Sequence, residues 1–276
     1  MSKKTRIAIG VPFYGPQEAL WWLPLVQKVG LFPKMGLEFA GIFTAGSSST
    51  DKNRNMIVED FRNHSEADWI YWMDSDNVAK NGTISRLLKM GKTIASGLYY
   101  GKGKGHSPIA YAKKDGAYVT IDKVLTWERG EILPVDAVGM GACLIHRSVY
   151  DDIEAKFTPF QMGSGGVRLV ENAKIKNAPK ERKSYKNDGM LIDGQYRERM
   201  FPVEYADYSF PFYMSEYGRT EDMPFFEYAK IAGHGIYLDT SLEIGHVKAY
   251  EVTGRHFRET QRRDTMEMQR RDDEGS

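Results

Sequence analysis

The apolar residues of this chain fall into short strand-like runs separated by segments with helical spacing. Residues 6–14, 37–44 and 69–73 combine β-branched, aromatic and small apolar side chains, which predicts three buried strands. Between them, residues 17–29 and 55–62 place apolar side chains at the intervals of an amphipathic helix. A chain that alternates strand, helix, strand, helix and strand predicts a parallel sheet covered by helices on both faces.

The segments that follow predict further core elements. Residues 82–92 have helical spacing, residues 93–100 predict a fourth strand, and residues 109–121 predict a hairpin that turns at 114–116. Residues 134–146 form another core segment, which contains two glycines. Glycines inside a strand indicate that another group approaches the backbone closely.

The last third of the chain is less regular. Residues 161–195 are rich in Gly, Lys, Asn and charged side chains, which predicts a flexible loop or lid, whereas residues 205–217 are dense in aromatic side chains. Thr220 is the predicted N-cap of a helix that ends at Gly233. From Arg255 the chain is rich in Arg, Glu, Asp and Gln, and we expect a surface helix or a partly disordered tail there.

Composition is typical of a globular protein. The 276 residues are 41% hydrophobic and 27% charged, with a net charge of +1. A net charge this small produces no overall electrostatic field that would indicate a nucleic-acid or membrane partner. The single cysteine, Cys143, excludes a disulfide framework within the chain. The N-terminal apolar run is too short for a signal peptide and no run is long enough to span a membrane. We therefore expect a cytoplasmic location without a membrane anchor.

The most informative motif is Asp74-Ser75-Asp76, which directly follows the strand predicted at 69–73. In an open α/β sheet, ligands bind at the carboxyl ends of the strands, where these two carboxylates are expected. Two carboxylates this close repel each other unless a cation lies beside them. A divalent ion that also takes phosphate oxygens fits this arrangement, and a solvated turn is the alternative.

Four signatures, taken together, resemble the GT-A fold glycosyltransferases of the inverting, family-2-like group, which use nucleotide-sugar donors. The order and spacing of these signatures resemble those of the family over about residues 6–247. The signatures are Val11-Pro12-Phe13-Tyr14, Ser48-Ser49-Thr50-Asp51 with Asn53-Arg54-Asn55, Asp74-Ser75-Asp76, and Glu221-Asp222 with Gly245-His246.

The resemblance implies a Rossmann-like, mainly parallel sheet with helices on both faces and a smaller antiparallel part on the acceptor side. It places one domain at 1–250, with a nucleotide-binding half at 1–100 and an acceptor-side half at 101–250 that includes the flexible loop 161–195. The charged C-terminal tail is then 251–276.

The resemblance also implies roles for individual residues. Asp222 is expected to be the general base, with Glu221 beside it, and the start of a helix is expected to keep Asp222 ionised. Asp74, Asp76 and His246 are expected to hold a divalent metal ion. A histidine ligand favours Mn²⁺ over Mg²⁺, although a purely structural histidine is the alternative. The residues expected to contact the nucleotide-sugar, with UDP as the expected nucleotide, are Pro12, Tyr14, Asp51, Arg54, Asp74, Ser75, Asp76, Gly139 and Gly141.

Other functions remain open from sequence. A retaining glycosyltransferase or a nucleotidyltransferase would use the same metal site without Asp222 as base, and a non-catalytic module would bind sugar nucleotides or glycans only. The acceptor is a glycan, a protein or a modified nucleobase, and the aromatic residues at 205–217 are interpreted as part of an acceptor site. The segment 14–17 lacks the Asn that commonly follows the tyrosine in this family, and the glycine-rich segment 101–105 is interpreted as a plain loop.

Overall fold

The described chain forms a mixed α/β fold around one central sheet. The computed structural model describes residues 4–13, 29–46, 49–103, 105–161, 167–176, 190–192, 195–197, 201–202, 208–215, 220–247, 251–252, 254, 257–259 and 261–262. The α-helices whose bounds are fully described are α1 (Thr50–His64), α2 (Thr83–Lys89), α3 (Arg147–Lys156) and α4 (Asp222–Ile231). Short 3₁₀ turns occur at Pro33–Met35, Ile121–Lys123, Met140–Ala142 and Asn172–Lys174.

The strands follow the chain order. They are β1 (Thr5–Phe13), β2 (Leu37–Gly46), β3 (Trp69–Trp72), β4 (Asn77–Val78), β5 (Ile94–Tyr99), β6 (Ala110–Lys114), β7 (Ala117–Thr120), β8 (Ile132–Val135), β9 (Ala137–Val138), β10 (Cys143–His146), β11 (Phe157–Gln161), β12 (Val167–Glu171), β13 (Ile175–Lys176), β14 (Met190–Ile192), β15 (Gln195–Arg197), β16 (Phe201–Pro202), β17 (Ile236–Val247) and β18 (Glu251–Val252).

The central sheet is mostly parallel. Its strand order is β18-β17-β5-β10-β3-β1-β2, and β4 and β8 also pair with β17. Strands β2, β1, β3, β5 and β17 point in one direction, whereas β10 lies antiparallel between β3 and β5. The carboxyl ends of β3 and β5 therefore meet at the same edge of the sheet, where a ligand site is expected.

Both faces of the sheet are buried, as the apolar runs predict. Alternation along β3 directs Ile70 and Trp72 into one core cluster and Tyr71 into the other. Apolar side chains of α1, α3 and α4 cover the first face, and those of α2 cover the second. The expectation of helices on both faces is confirmed for the described chain.

Smaller antiparallel sheets follow the first hundred residues. Strands β7, β6 and β9 form one of them, and it contains the predicted hairpin with its turn at Lys114-Asp115-Gly116. Strands β12, β11 and β16 form a second, and β13, β14 and β15 a third. This arrangement agrees with the expected antiparallel part beyond residue 100.

Parts of the chain are more regular than the sequence predicts. Within the stretch 161–195, β12 pairs with β11, and its Leu169 and Val170 supply buried apolar side chains. The prediction that this stretch has no regular structure is therefore wrong for the residues of β12. Strands β13 and β14 also lie in this stretch, and its predicted flexibility remains a prediction. Beyond residue 250, β18 continues the central sheet, and the ring of Phe257 stacks on Tyr100 with centroids 4.9 Å apart.

Two predictions at helix ends meet different outcomes. Thr220 is not the N-cap of α4, because that position is Glu221, and Thr220 instead contributes a carbonyl that accepts a hydrogen bond from the Met223 amide at 3.2 Å. The helix is followed by Gly233 with a positive φ of 103°, the conformation expected for a terminating glycine.

No helix in the described part of the chain is long and apolar enough to cross a membrane. The helix predicted at 17–29 lies almost wholly outside the described residues.

Candidate functional site

The Asp74-Ser75-Asp76 segment lies at the carboxyl end of β3, as predicted. The Met73 amide still donates to the Gly10 carbonyl at 3.0 Å, and the chain then turns, with the Asn77 amide donating to the Asp74 carbonyl. After this turn β4 pairs with β17 in a register that sets Asn77 opposite His246. A strand pairing therefore brings a histidine from the far end of the chain to the acidic segment.

Arg54 is the buried cation at the centre of the site. It lies on α1, is 2% exposed, and donates from Nη2 to Asp74 Oδ1 at 2.8 Å. Its Nε donates to Glu221 Oε1 at 3.1 Å and lies 3.9 Å from Asp222 Oδ1. A buried guanidinium requires such partners, because an unpaired buried charge is costly. Arg54 thus joins the acidic segment after β3 to the start of α4.

Asp222 is held in an environment that favours its neutral form. Burial, followed by the adjacent Glu221 carboxylate, raises its pKa well above the usual value, although Arg54 opposes the shift. The expectation that the helix start keeps Asp222 ionised is therefore wrong in direction, since burial and a like charge outweigh the helix dipole. Asp222 Oδ1 is buried and has no hydrogen-bond partner within the described chain.

Asp76 lies on the other side of the site between two cationic or basic groups. The Lys102 ammonium contacts its Oδ2, and His246 Nε2 lies 3.4 Å from the same oxygen. Burial acts to raise the pKa of Asp76, but the hydrogen bonds from His246 and Lys102 prevail and lower it to about 2. Lys102 belongs to the segment that the sequence indicates as a plain loop, so its place in the site is new.

The His246 ring is oriented by the backbone. Its Nδ1 lies 3.0 Å from the Tyr100 carbonyl oxygen, which only accepts hydrogen bonds, so the hydrogen of a neutral ring belongs on Nδ1. In that neutral ring the lone pair of Nε2 faces the Asp76 carboxylate, and only the protonated ring donates from Nε2 the hydrogen bond that lowers the pKa of Asp76. Two electron-pair donors that face each other call for a cation or a proton between or beside them.

These side chains line one open pocket with a volume of about 280 Å³. The pocket combines residues from three of the four signatures, although they are far apart in sequence. Its lining residues are Thr50, Arg54, Asp74, Ser75, Asp76, Thr220, Glu221, Asp222 and His246. Thr50 and Thr220 are not among the predicted contact residues, although Thr50 belongs to the signature at 48–51 and Thr220 directly precedes Glu221.

Other predicted contact residues lie outside this lining. Pro12 is buried in β1, and the Asp51 carboxylate accepts hydrogen bonds from the amides of Lys52 and Ser215. Tyr14 lies outside the described residues. These placements leave the predicted nucleotide contacts of the three residues as predictions.

The two glycines of the segment after β9 are packed against other parts of the site. A Cβ on Gly139 would lie 1.8 Å from the Tyr99 hydroxyl, and one on Gly141 would lie 1.6 Å from Asn77 Nδ2 and 3.0 Å from Asp74 Oδ2. The sequence interpretation of a close approach is therefore accurate, and the approaching groups are protein side chains. Contact of these glycines with a sugar remains a prediction.

Comparison with known proteins does not decide the function. No protein-family profile matches the sequence, and no curated protein matches it. The chain is similar to the solved structure of A197 from STIV, with 16% identity and a TM-score of 0.45 over 88% of this chain and 86% of that one. It is also similar to a glycosyltransferase involved in the glycosylation of the major capsid of PBCV-1, with 11% identity and a TM-score of 0.30 over 52% and 61%. At these scores the chemistry has to be argued from the pocket itself.

The donor atoms at Asp76 and His246 fit a divalent ion. Their separation of 3.4 Å is near the about 3 Å expected between neighbouring ligands of an octahedral ion with bonds of about 2.1 Å. The hydrogen bond from His246 Nδ1 to a backbone carbonyl is also the outer contact that metal-binding histidines usually make. Among the described residues, no three His, Cys, Asp or Glu side chains are grouped closely enough to form a complete protein metal site. Further ligands would have to come from a substrate or water.

Proposed function

We propose that this protein is a metal-dependent glycosyltransferase that moves a sugar from a nucleotide-sugar, with UDP as the expected nucleotide, to an acceptor hydroxyl with inversion. The observation that carries the proposal is the single pocket in which the acidic pair Asp74 and Asp76, the buried Arg54, the helix-start Asp222 and His246 come together. These residues belong to three of the four signatures on which the resemblance to inverting GT-A enzymes depends.

The charge of the pocket supports a ligand that brings a divalent cation. Four carboxylates are present, and Arg54 and Lys102 are the neighbouring fixed cations, which leaves a surplus of about two negative charges when all acids are ionised and about one when Asp222 is neutral. A diphosphate alone would be repelled by this surplus. A diphosphate together with Mn²⁺ or Mg²⁺ is accommodated, because such ions bind carboxylate and phosphate oxygens at the same time.

The metal side of the pocket is formed by Asp76 and His246, with Asp74 nearby. When bound there, the ion would supply Lewis-acid stabilisation for the departing diphosphate. Asp76 suits this position because its low pKa, about 2, keeps it ionised at any physiological pH. A carboxylate that stays ionised does not have to lose a proton before it binds a cation.

Arg54 positions the two sides of the pocket relative to each other. Its guanidinium holds Asp74 through one nitrogen and Glu221 through another, so the acidic segment and the start of α4 are connected by one rigid planar group. Positioning of this kind reduces the entropy that two reacting groups lose on approach. Arg54 acts through these neighbours and is a positioning residue.

Asp222 is the group that takes the proton. The acceptor oxygen forms a bond to the anomeric carbon of the donor sugar while the bond from that carbon to the diphosphate oxygen breaks, and the acceptor proton passes to the Asp222 carboxylate. The raised pKa of Asp222, which results from burial and from Glu221, makes its ionised form a stronger base than an ordinary aspartate. The buried Oδ1 of Asp222 accepts no hydrogen bond from the described residues.

A donor screen tests the proposal through the substitution Asp76→Asn. Thermal unfolding is measured with UDP-, GDP- and TDP-sugars in the presence of Mn²⁺ or EDTA. A nucleotide-sugar at about 100 times its Kd should stabilise the wild-type protein by about 2.7 kcal/mol, and EDTA or Asp76→Asn should remove most of this effect. Asp115→Asn is the matched control, because it makes the same change in the exposed β6–β7 turn.

The reaction products separate the proposed function from its alternatives. Release of a nucleoside diphosphate with an inverted sugar product supports the proposal. Release of a nucleoside monophosphate and pyrophosphate would instead identify a nucleotidyltransferase. Stabilisation by the nucleotide-sugar that is as large in EDTA and in Asp76→Asn as in the wild-type protein with Mn²⁺ would contradict the metal site.

A further inference from the structure

Lys102 gives the acidic segment a cation of its own. Its ammonium contacts Oδ2 of Asp76, and the two side chains are 23% and 42% exposed, so the pair is partly shielded from water. This is the same oxygen that His246 Nε2 faces at 3.4 Å. The position next to Asp76 that suits a divalent ion therefore already has a lysine beside it.

Backbone hydrogen bonds fix the base of the loop that carries Lys102. A glycine lies on each side of this lysine in the sequence. The loop directly follows β5, and its base is closed by the Gly101 amide, which donates to the Ser107 carbonyl at 2.9 Å, and by pairing of Tyr100 with Pro108. The His106 ring lies 3.0 Å from the Gly101 carbonyl. Tyr100 also provides the carbonyl that orients His246, so the lysine loop and the histidine share one backbone segment.

Two cations cannot both occupy the space beside one carboxylate oxygen without repulsion. Like charges within about 4–6 Å destabilise each other, and partial burial strengthens the effect. A divalent ion that binds Asp76 must therefore displace the Lys102 ammonium. The displaced ammonium remains on a short loop next to the pocket, where the nearest new partner would be an anionic ligand bound to the same metal.

We propose that Lys102 is an exchangeable counter-cation, which holds Asp76 in the free protein and transfers its ammonium to the diphosphate when metal and nucleotide bind together. The exchange breaks no covalent bond; one ion pair replaces another. It makes the two ligands cooperative, since the metal binds weakly while Lys102 competes for Asp76 and the diphosphate removes this competitor. By linkage, the metal must strengthen nucleotide binding by the same factor. The inference rests on the proposed function, because it uses the same pocket.

Direct titration of Mn²⁺, followed by electron paramagnetic resonance or calorimetry, tests this exchange in the full-length protein. Without nucleotide, Lys102→Met should bind Mn²⁺ about tenfold more tightly than wild type, because the competing cation is gone. Addition of UDP should strengthen Mn²⁺ binding strongly in wild type and much less in Lys102→Met. In EDTA, UDP should bind Lys102→Met more weakly than wild type.

Two matched variants complete the test. Lys102→Arg keeps the charge and should stay close to wild type, and Lys89→Met removes a lysine from the exposed side of α2 and should change none of the constants. Equal Mn²⁺ affinity in wild type and Lys102→Met would overturn the exchange, and the proposed function would stand if UDP and Mn²⁺ still bound together. If Lys102→Met binds Mn²⁺ more tightly but UDP does not strengthen Mn²⁺ binding in the wild-type protein, the diphosphate step is overturned and, with it, the proposed function.

Discussion

At the scale of single residues, the decisive feature is the difference between two aspartates in one pocket. The pKa of Asp76 is lowered to about 2, because hydrogen bonds from His246 and Lys102 outweigh burial. The pKa of Asp222 is raised, because burial and Glu221 outweigh Arg54. Carboxyl groups whose environments move their pKa values apart are suited to different tasks in one reaction. Asp76 fits a permanent anion, and Asp222 fits a base.

The substitution Asp222→Asn tests the assignment of the base. It keeps the shape of the side chain but removes its basicity. The rate of sugar transfer to the acceptor should therefore fall about 100- to 10,000-fold, while the affinities for donor and Mn²⁺ stay unchanged. The pH profile supplies the second measurement. Because the pKa of Asp222 is raised, the acid limb of the wild-type profile should lie above the about 3.9 of a free aspartate.

Glu221→Gln is the companion variant for that profile. Removal of a like charge lowers the pKa of Asp222, so Asp222 stays ionised to lower pH and the acid limb should move to lower pH. An unchanged rate in Asp222→Asn would leave Asp222 as a residue of the helix start only. Loss of donor binding in that variant would place Asp222 on the donor side of the pocket.

At the scale of secondary-structure elements, Arg54 is the connection on which the site depends. It joins α1, the segment after β3 and the start of α4, and it also lies over the Trp72 ring at 5.3 Å from the centroid. The three elements would otherwise bring several carboxylates together without a counter-charge. Stability and site geometry should therefore respond together when Arg54 is changed.

Arg54→Met should destabilise the fold by about 3–5 kcal/mol, the usual cost when one partner of a buried ion pair is removed. The free energy of unfolding is measured by urea denaturation. Arg6→Met is the control, because Arg6 pairs with Glu38 and Glu66 at the surface and its loss should matter much less. Equal effects of the two substitutions would contradict the central place of Arg54. If the carboxylates around Arg54 are the reason for the loss, the difference in unfolding free energy between Arg54→Met and wild type should become smaller at low pH, where these carboxylates are neutral.

The elements themselves were largely predictable from the local pattern of the sequence. The apolar run before Asp74, the helical spacing of Ile57, Val58 and Phe61, and the turn at 114–116 each determine a structure within a few residues. Helix α3 was not predicted, although Val149, Tyr150 and Ile153 have helical spacing. The antiparallel direction of β10 depends on its pairing with β3 and β5, which are distant in sequence. The spacing of apolar residues along the chain does not predict such pairings.

The site was predictable in part for the same reason. Motifs identified Asp74, Asp76, Asp222 and His246, and all four line the pocket. The contact between Lys102 and Asp76 was missed, since it depends on the path of a loop. The direction of the Asp222 pKa was also missed, since burial and the contact with Glu221 are tertiary properties.

At the scale of the whole molecule, the central sheet positions the chemistry. The acidic segment follows β3, the Lys102 loop follows β5, and the long strand β17 brings His246 beside them through its pairing with β4. Helix α4 supplies Asp222 from the layer that covers one face of the sheet. Asp74 and His246, which are 172 positions apart in sequence, therefore meet at one edge, as expected for the ligand-binding edge of an α/β sheet.

The measurement that tests this account most directly is the location of manganese in crystals grown with Mn²⁺ and UDP. Diffraction recorded at the manganese absorption edge locates the ion independently of any assumption about the site. The account predicts one anomalous peak within bonding distance of Asp76 Oδ2 and His246 Nε2, with the diphosphate of UDP against it and Lys102 turned towards the phosphate. UDP bound in this pocket without manganese, or manganese and UDP bound elsewhere on the protein, would contradict it.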